Sequence, residues 1–317
     1  LIGERTIFRK FVSNLDKVSK TNSRVLISGA SGSGKEAASR YIHENSRQSV
    51  GDFIVIDCST SNQADLDRML FGYEASDDSN NIGAFEKANG GSIFLDEVSE
   101  LSLELQGKLL KVLVENSLNK VGSEKKIDVD LRFISSTSSD LGEKIKNKSF
   151  REDLFHRLNV VPIKIPNLNE RIEDIPILAE YFSKKLSLAN GLALRKFSTE
   201  ALTFLQGMTW PGNIRQLRNL IERVLILGNS SELISSEELI LSEVKPQDSN
   251  DKINLISTEL ANMSLREARE IFERDYLILQ INRFGGNISK TAAFVEMERS
   301  ALHRKLKSLG INSGQKN

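Results

Sequence analysis

The chain has 317 residues, 39% of them hydrophobic, with 43 Lys and Arg balanced by 43 Asp and Glu. That composition suits two or three folded domains; with no signal peptide and no apolar run near ~18 residues, a soluble, cytoplasmic protein without a membrane partner is expected. A single cysteine, Cys58, excludes an intramolecular disulfide, and three separated histidines (His43, His156, His303) lack metal-ligand spacing, so no zinc site is expected.

The first predicted strand, residues 25–28, runs into Gly29, and Gly34-Lys35 follow at the spacing G-x-x-x-x-G-K. The residues after Lys35 are good helix formers with an apolar face. Strand, glycine loop and helix bring backbone N–H groups and a helix N-terminus around an anion, with a lysine beside it. Gly29, Ser31, Gly32, Ser33, Gly34, Lys35 and Glu36 are therefore the expected ATP-binding loop. Glu36 stands where the motif favours Ser or Thr as a Mg²⁺ ligand, so a glycine-rich turn with an incidental lysine is the plainer alternative. A second motif decides between them. Residues 91–97 form an apolar strand ending in Asp96 and Glu97. An acid at a strand tip beside a phosphate loop is where Mg²⁺ is held, here Asp96, and a second acid can orient an attacking water, here Glu97.

Five apolar, mostly β-branched segments recur at 25–28, 53–58, 92–96, 129–136 and 160–165, separated by helical patterns such as 103–114. That alternation predicts a parallel sheet with its ligand at the carboxyl ends of the strands. Pro166 closes the last strand, and 169–241 reads as helical, interrupted at Trp210-Pro-Gly-Asn213. Residues 242–258 are polar and read as a mobile linker. From 264 to 284 one long helix is predicted, with Ser264 as its cap; its second half is apolar on more than one face, which predicts self-association as a dimer.

Two shorter helices follow, 288–295 and 298–309. In the second, Leu302, Leu306 and Leu309 share a face, while Ser300, Arg304 and Lys307 point away with His303 on the flank. From 283 to 317 seven bases stand against two acids, whereas 228–257 carries six acids against two lysines. A basic helix pair behind an acidic linker fits a helix-turn-helix on double-stranded DNA, with an inverted repeat as its site. A solvated charged face is the commoner fate of such a helix; the net charge and the predicted dimer favour DNA. Arg299, Ser300, His303, Arg304 and Lys307 are the expected DNA-binding residues.

With Asp96-Glu97, the stretches 150–161, 171–176 and 210–217 resemble the AAA+ domain of bacterial enhancer-binding response regulators, and the tail resembles their Fis-like DNA-binding domain. Residues 263–270 and 297–306 resemble the NtrX branch in particular. The resemblance implies an α/β fold: an AAA+ P-loop three-layer parallel sheet (1–168) with a helical lid (169–241), a linker (242–258) and an all-α helix-turn-helix domain (259–317). It implies Lys35 on the β/γ-phosphates, Asp96 on Mg²⁺, Glu97 on the catalytic water, Ser138 at the sensor position and Arg215 as the lid arginine. Arg151 and Arg157 match catalytic arginines that reach a neighbouring subunit's nucleotide, which implies an AAA+ ring. It further implies a receiver domain ahead of this chain and a sensor histidine kinase as partner; the opening Leu1 in place of Met agrees with a piece of a longer protein.

Three departures stand out. Where the family carries its sigma-54 contact loop, Gly-Ala-Phe-Thr-Gly-Ala, this chain has a shorter, acidic stretch at 75–84, so sigma-54 is not an expected partner. Asp57 replaces an asparagine that restrains the catalytic glutamate, and is expected to face Glu97. Ser138 replaces the sensor asparagine, shortening the reach to the γ-phosphate. The expected function is a two-component transcriptional regulator that binds ATP with Mg²⁺ and hydrolyses it slowly, if at all. Its rival is an ATP-hydrolysing activator that remodels RNA polymerase holoenzyme; a small-molecule kinase is the weakest reading, because nothing resembles an acceptor pocket.

Overall fold

The computed structural model describes residues 1–317 except 74–81, 124, 229–232, 244–272, 275, 278–279, 282–287, 296 and 310–317; the Lys307 side chain is likewise outside the described set. The chain divides into two units, Leu1–Glu243 and Val244–Asn317.

The first unit holds strands β1 (Val25–Ser28), β2 (Phe53–Asp57), β3 (Ser92–Asp96), a hairpin of β4 (Ser117–Asn119) and β5 (Lys126–Asp128), then β6 (Arg132–Thr137) and β7 (Val161–Lys164). Five of these form one parallel sheet in the order β2-β3-β6-β1-β7. Around it run α1 (Thr6–Ser19), α2 (Lys35–Glu44), α3 (Gln63–Phe71), α4 (Ala84–Lys87), α5 (Leu103–Glu115), α6 (Leu141–Lys146) and α7 (Glu152–Leu158). Side chains alternate along a strand, so each strand feeds two cores. Val25, Ile27, Phe94 and Ile134 pack against α1 and α2. Leu26, Ile93, Leu95 and Phe133 pack against α3, α5 and α7 on the other face. Burial on both sides explains why these strands read as continuous apolar runs. The result is the three-layer α/β fold expected above.

Register aligns the strand tips. Ser28 pairs with Thr137 and Asp57 with Asp96, so the chemistry-bearing ends gather on one edge. The stretch expected to stand in for the sigma-54 loop lies mostly outside the described residues. Its last residues, Gly83 and Ala84, lead into α4, where the fully buried Phe85 ring just past the stretch lies 5.2 Å from Phe71 and 5.9 Å from Phe133. An interior aromatic of this kind stabilises the fold by about 1.5–3 kcal/mol and is not exposed for an intermolecular contact.

The lid comprises a 3₁₀ segment (Leu168–Asp174), α8 (Ile175–Asn190), α9 (Thr199–Gly207), α10 (Asn213–Leu227) and α11 (Ser236–Glu243) around Trp210, Leu217 and Ile221. It is not purely helical as expected: β8 (Lys196–Phe197) and β9 (Leu233–Ile234) pair in parallel between the helices.

In the second unit, helices Ile288–Phe294 and Arg299–Ser308 close on a small core of Leu277, Ala292, Leu302 and Leu306. The expected dimer helix, 264–284, lies mainly outside the described residues; of it, Leu277 and Gln280 are buried and Tyr276 is exposed.

Candidate functional site: a phosphate cradle closed by the lid

The cradle begins where β1 ends. Gly29 donates its N–H to Thr137 O at 3.2 Å, tying the loop to the tip of β6. Gly32 takes φ 73° and Gly34 φ 103°, the left-handed region that glycine enters without strain. Gly34 is also the N-cap of α2, and no side chain caps that end. The first N–H groups of α2 therefore face the loop as anion donors. Ser33 Oγ, nearly fully buried, has no protein partner. An uncapped helix end and an orphaned hydroxyl around one loop fit a phosphate.

Lys35, the first residue of α2, is 6% exposed, and its ammonium donates to Gly29 O at 3.0 Å and pairs with Glu97 Oε1 at 2.8 Å. Glu97 follows β3 in a left-handed conformation, φ 56° and ψ 53°. Its N–H donates to Ser136 Oγ at 3.2 Å, and its Oε2 accepts from both the N–H and the Oγ of Ser138, each at 2.8 Å. Burial pushes the Glu97 carboxyl up, but the Lys35 charge and the two Ser138 donors outweigh it and hold it below its ordinary value. Asp96 accepts a hydrogen bond from the Ser136 hydroxyl. Burial raises its carboxyl, against the pull of Ser136 and Lys35. A half-buried carboxylate of this kind gains from a nearby cation, which suits it to Mg²⁺. Glu36 also lines the cleft, and its carboxylate pairs with Arg40 at 3.2 Å.

Asp57, expected to face Glu97, lines the same cleft. Its Oδ1 accepts from Ser59 N (2.9 Å) and Ser59 Oγ (2.6 Å), closing the turn after β2. Ser138, expected at the sensor position, has its hydroxyl engaged by Glu97.

The lid's Trp210-to-Arg215 turn sits directly on the phosphate loop. Arg215 Nη1 donates to Ser31 Oγ at 3.1 Å and Arg215 N to Gly32 O at 3.3 Å. Asn213 is buried, with φ 50°; its Nδ2 donates to Ser31 O at 3.1 Å, and its Oδ1 accepts from Leu168 N at 2.9 Å. A Cβ on Gly32 would lie 2.4 Å from Gly212 O, so only glycine permits this approach. Together loop and lid enclose a cleft of 590 Å³. Polar residues (Lys35, Asp96, Glu97, Arg215) and apolar ones (Ile2, Phe8, Ile165, Leu178) both line it. A cleft lined by both a phosphate loop and apolar side chains suits a nucleotide. Sequence reasoning missed Ser136 and Asn213, which support the expected residues without bearing charge.

Arg151 and Arg157 do not line this cleft. Arg151 pairs with Asp153 at 2.8 Å at the start of α7. Arg157 is exposed near Arg24, whose guanidinium is lowered first by burial and then by Arg157. Arg24 precedes β1, at the sheet edge opposite the cradle. In the second unit Arg299, Ser300, His303 and Arg304 are exposed on the Arg299–Ser308 helix, opposite Leu302 and Leu306. Lys307 is on the same helix, its side chain outside the described set. Lys305 pairs with Glu273 at 2.5 Å.

Residues 1–164 match the family model described as the sigma-54 interaction domain, 169–254 the AAA+ ATPase lid domain, and 268–309 the bacterial regulatory protein, Fis family. The nitrogen assimilation regulatory protein NtrX of Azorhizobium caulinodans is 45% identical over 98% of this chain, which spans 69% of that relative's length. A putative NtrX-like response regulator of Rickettsia typhi is 43% identical over 98% of the chain, which spans 66% of it. The crystal structure of NtrX from Brucella abortus in complex with ATP is 44% identical, with a TM-score of 0.74 over 98% of this chain and 70% of that one. Phosphate cradle, lid and terminal helix pair thus follow one another as they do in these relatives, and the chain belongs to the NtrX-type response regulators, transcriptional regulators that join an AAA+ domain and its lid to a Fis-family helix-turn-helix.

Proposed function

We propose that this chain binds ATP with Mg²⁺ in the cleft between sheet and lid, and uses the nucleotide to organise an oligomer that binds DNA through the Arg299–Ser308 helix. The observation that carries the reading is the cradle itself, an uncapped helix N-terminus with the buried Lys35 at its mouth. Gly29 to Glu36 contact the phosphates, Asp96 holds the metal, Glu97 orients water and Arg215 reaches the nucleotide from the lid. Arg151 and Arg157, remote from their own cleft, act on a neighbouring copy, which supports the AAA+ ring. The DNA site is an inverted repeat read by a dimer. A receiver domain and a sensor histidine kinase govern the whole protein, and the cell compartment is the cytoplasm.

Remodelling of sigma-54 polymerase is the second reading, favoured by the description of the domain that residues 1–164 match. The sequence at 75–84 lacks the contact loop that this output needs, so regulation here proceeds without it. Calorimetric titration with ATP tests the main reading. The parent chain gives a saturable isotherm, and Lys35→Ala abolishes it through the loss of a charge-assisted phosphate contact. Equal affinity in the two chains would show the loop to be only a turn. Open-complex formation by sigma-54 holoenzyme on addition of this chain and ATP would establish the second reading instead.

A further inference from the structure

Both oxygens of the Glu97 carboxylate are engaged. One oxygen is on the Lys35 ammonium at 2.8 Å; the other takes two hydrogen bonds from Ser138, one from the backbone and one from the hydroxyl. Its main chain is fixed as well, in a left-handed conformation with its N–H on Ser136. Asp57 offers no restraint in its place, because a carboxylate has no proton to donate and this one is engaged by Ser59. The restraint on Glu97 thus comes from the end of β6 and not from β2.

From this juxtaposition we propose that Ser138 is a positioning residue that holds Glu97 on Lys35, so that phosphate binding and the freeing of Glu97 compete for one ammonium group. The proposal deepens the ATP reading and rests on it. The terminal phosphates of ATP carry the charge that Lys35 is placed to meet, and Lys35 serves them only by leaving Glu97. A carboxylate that has lost its cation but keeps two donors from Ser138 remains parked at the sheet edge, away from the water it would orient. Ser138 therefore opposes nucleotide entry and turnover alike. A side chain that touched the γ-phosphate directly, the role implied by its sensor position, would assist both.

The test uses the full chain and three variants, Ser138→Ala, Ser138→Cys and Ser138→Thr, each titrated with ATP by calorimetry and assayed for steady-state hydrolysis. One hydrogen bond to a charged group is lost in the alanine variant, while the backbone donor stays. Ser138→Ala is expected to bind ATP more tightly, by about tenfold or more, with KM falling and kcat rising. Ser138→Thr, which keeps the hydroxyl, returns both to the parent values; Ser138→Cys, a weaker donor, lies between and carries the test should the alanine variant fail to fold. Weaker ATP binding with a raised KM in Ser138→Ala would make Ser138 a phosphate contact and overturn the proposal. Unchanged affinity and turnover, or no hydrolysis by any chain, overturns it as well. A parent chain that does not bind ATP overturns the reading of the cleft; a parent that binds, with variants identical to it, overturns only the Ser138 assignment.

Discussion

A lysine and a glutamate paired this far from solvent make stability depend on pH in a predictable direction. The Glu97 carboxyl is held below its ordinary value of 4.5, so the pair's contribution is fully present above that value. It is lost as pH falls through the lower folded value. Urea midpoints of the parent should therefore drop as the solution is acidified below the ordinary glutamate range, and Glu97→Gln should lack that component of the drop. At neutral pH the same substitution keeps an oxygen for Lys35 to donate to but removes the opposite charge; because Glu97 is 18% exposed, the loss is about 1–2 kcal/mol and not the larger figure for a fully buried pair. Matching pH profiles for the two chains would mean that the pair is broken in solution. Lys35, Asp96 and Glu97 were legible in the sequence because spacing and a strand tip announce them. Ser136 and the orientation of Asp57 were not, since both depend on β6 lying beside β3 and β2 beyond it, an order that no local pattern records.

Among the elements, the turn before α10 joins three parts of the fold. Asn213 touches the phosphate loop at Ser31 and the sheet-to-lid connection at Leu168, while its own backbone starts the helix. Its left-handed φ separates two effects. Asn213→Gly tolerates the backbone but leaves the buried Leu168 N–H unpaired, at about 1–3 kcal/mol. Asn213→Ala adds left-handed strain of roughly 1–2 kcal/mol. Urea denaturation should rank parent, glycine variant and alanine variant in that order at constant m, with ATP affinity falling alongside. An alanine variant as stable as the parent would remove Asn213 from the joint. The sequence announced this break through Trp210-Pro-Gly-Asn213 and the five sheet strands through their β-branched runs. It left α1, the β4–β5 hairpin and the β8–β9 pair unread. The hairpin strands have three residues each and the lid pair two, too short for any periodicity to register.

At the scale of the whole molecule, nucleotide and DNA chemistry reside in different units of the chain. Arg304 is exposed in the middle of its helix, and its Nε donates to Ser300 O at 3.4 Å. As a base contact its removal should relax sequence preference, costing ~1–3 kcal/mol on the specific site and little on scrambled duplex. ATP affinity should stay at the parent value. Fluorescence titrations of the full chain against both duplexes, at two salt concentrations, check this. An equal loss on both duplexes, with a shallower salt dependence, would make Arg304 a phosphate contact instead.

The contact between Gly32 and Gly212 bears on how far the lid is an interchangeable module. There is no room for a Cβ at Gly32, and Arg215 Cβ would stand only 3.0 Å from it. The phosphate loop and the lid turn are two halves of one surface, separated by 180 residues of chain. Recombination with a relative at the Pro166 junction, the natural seam by sequence, would deliver the halves from different parents. A chimera cut there inherits a mismatch at the nucleotide unless both glycines travel with their neighbours. For exchange between relatives, the heritable unit is sheet and lid together, both of them within Leu1–Glu243.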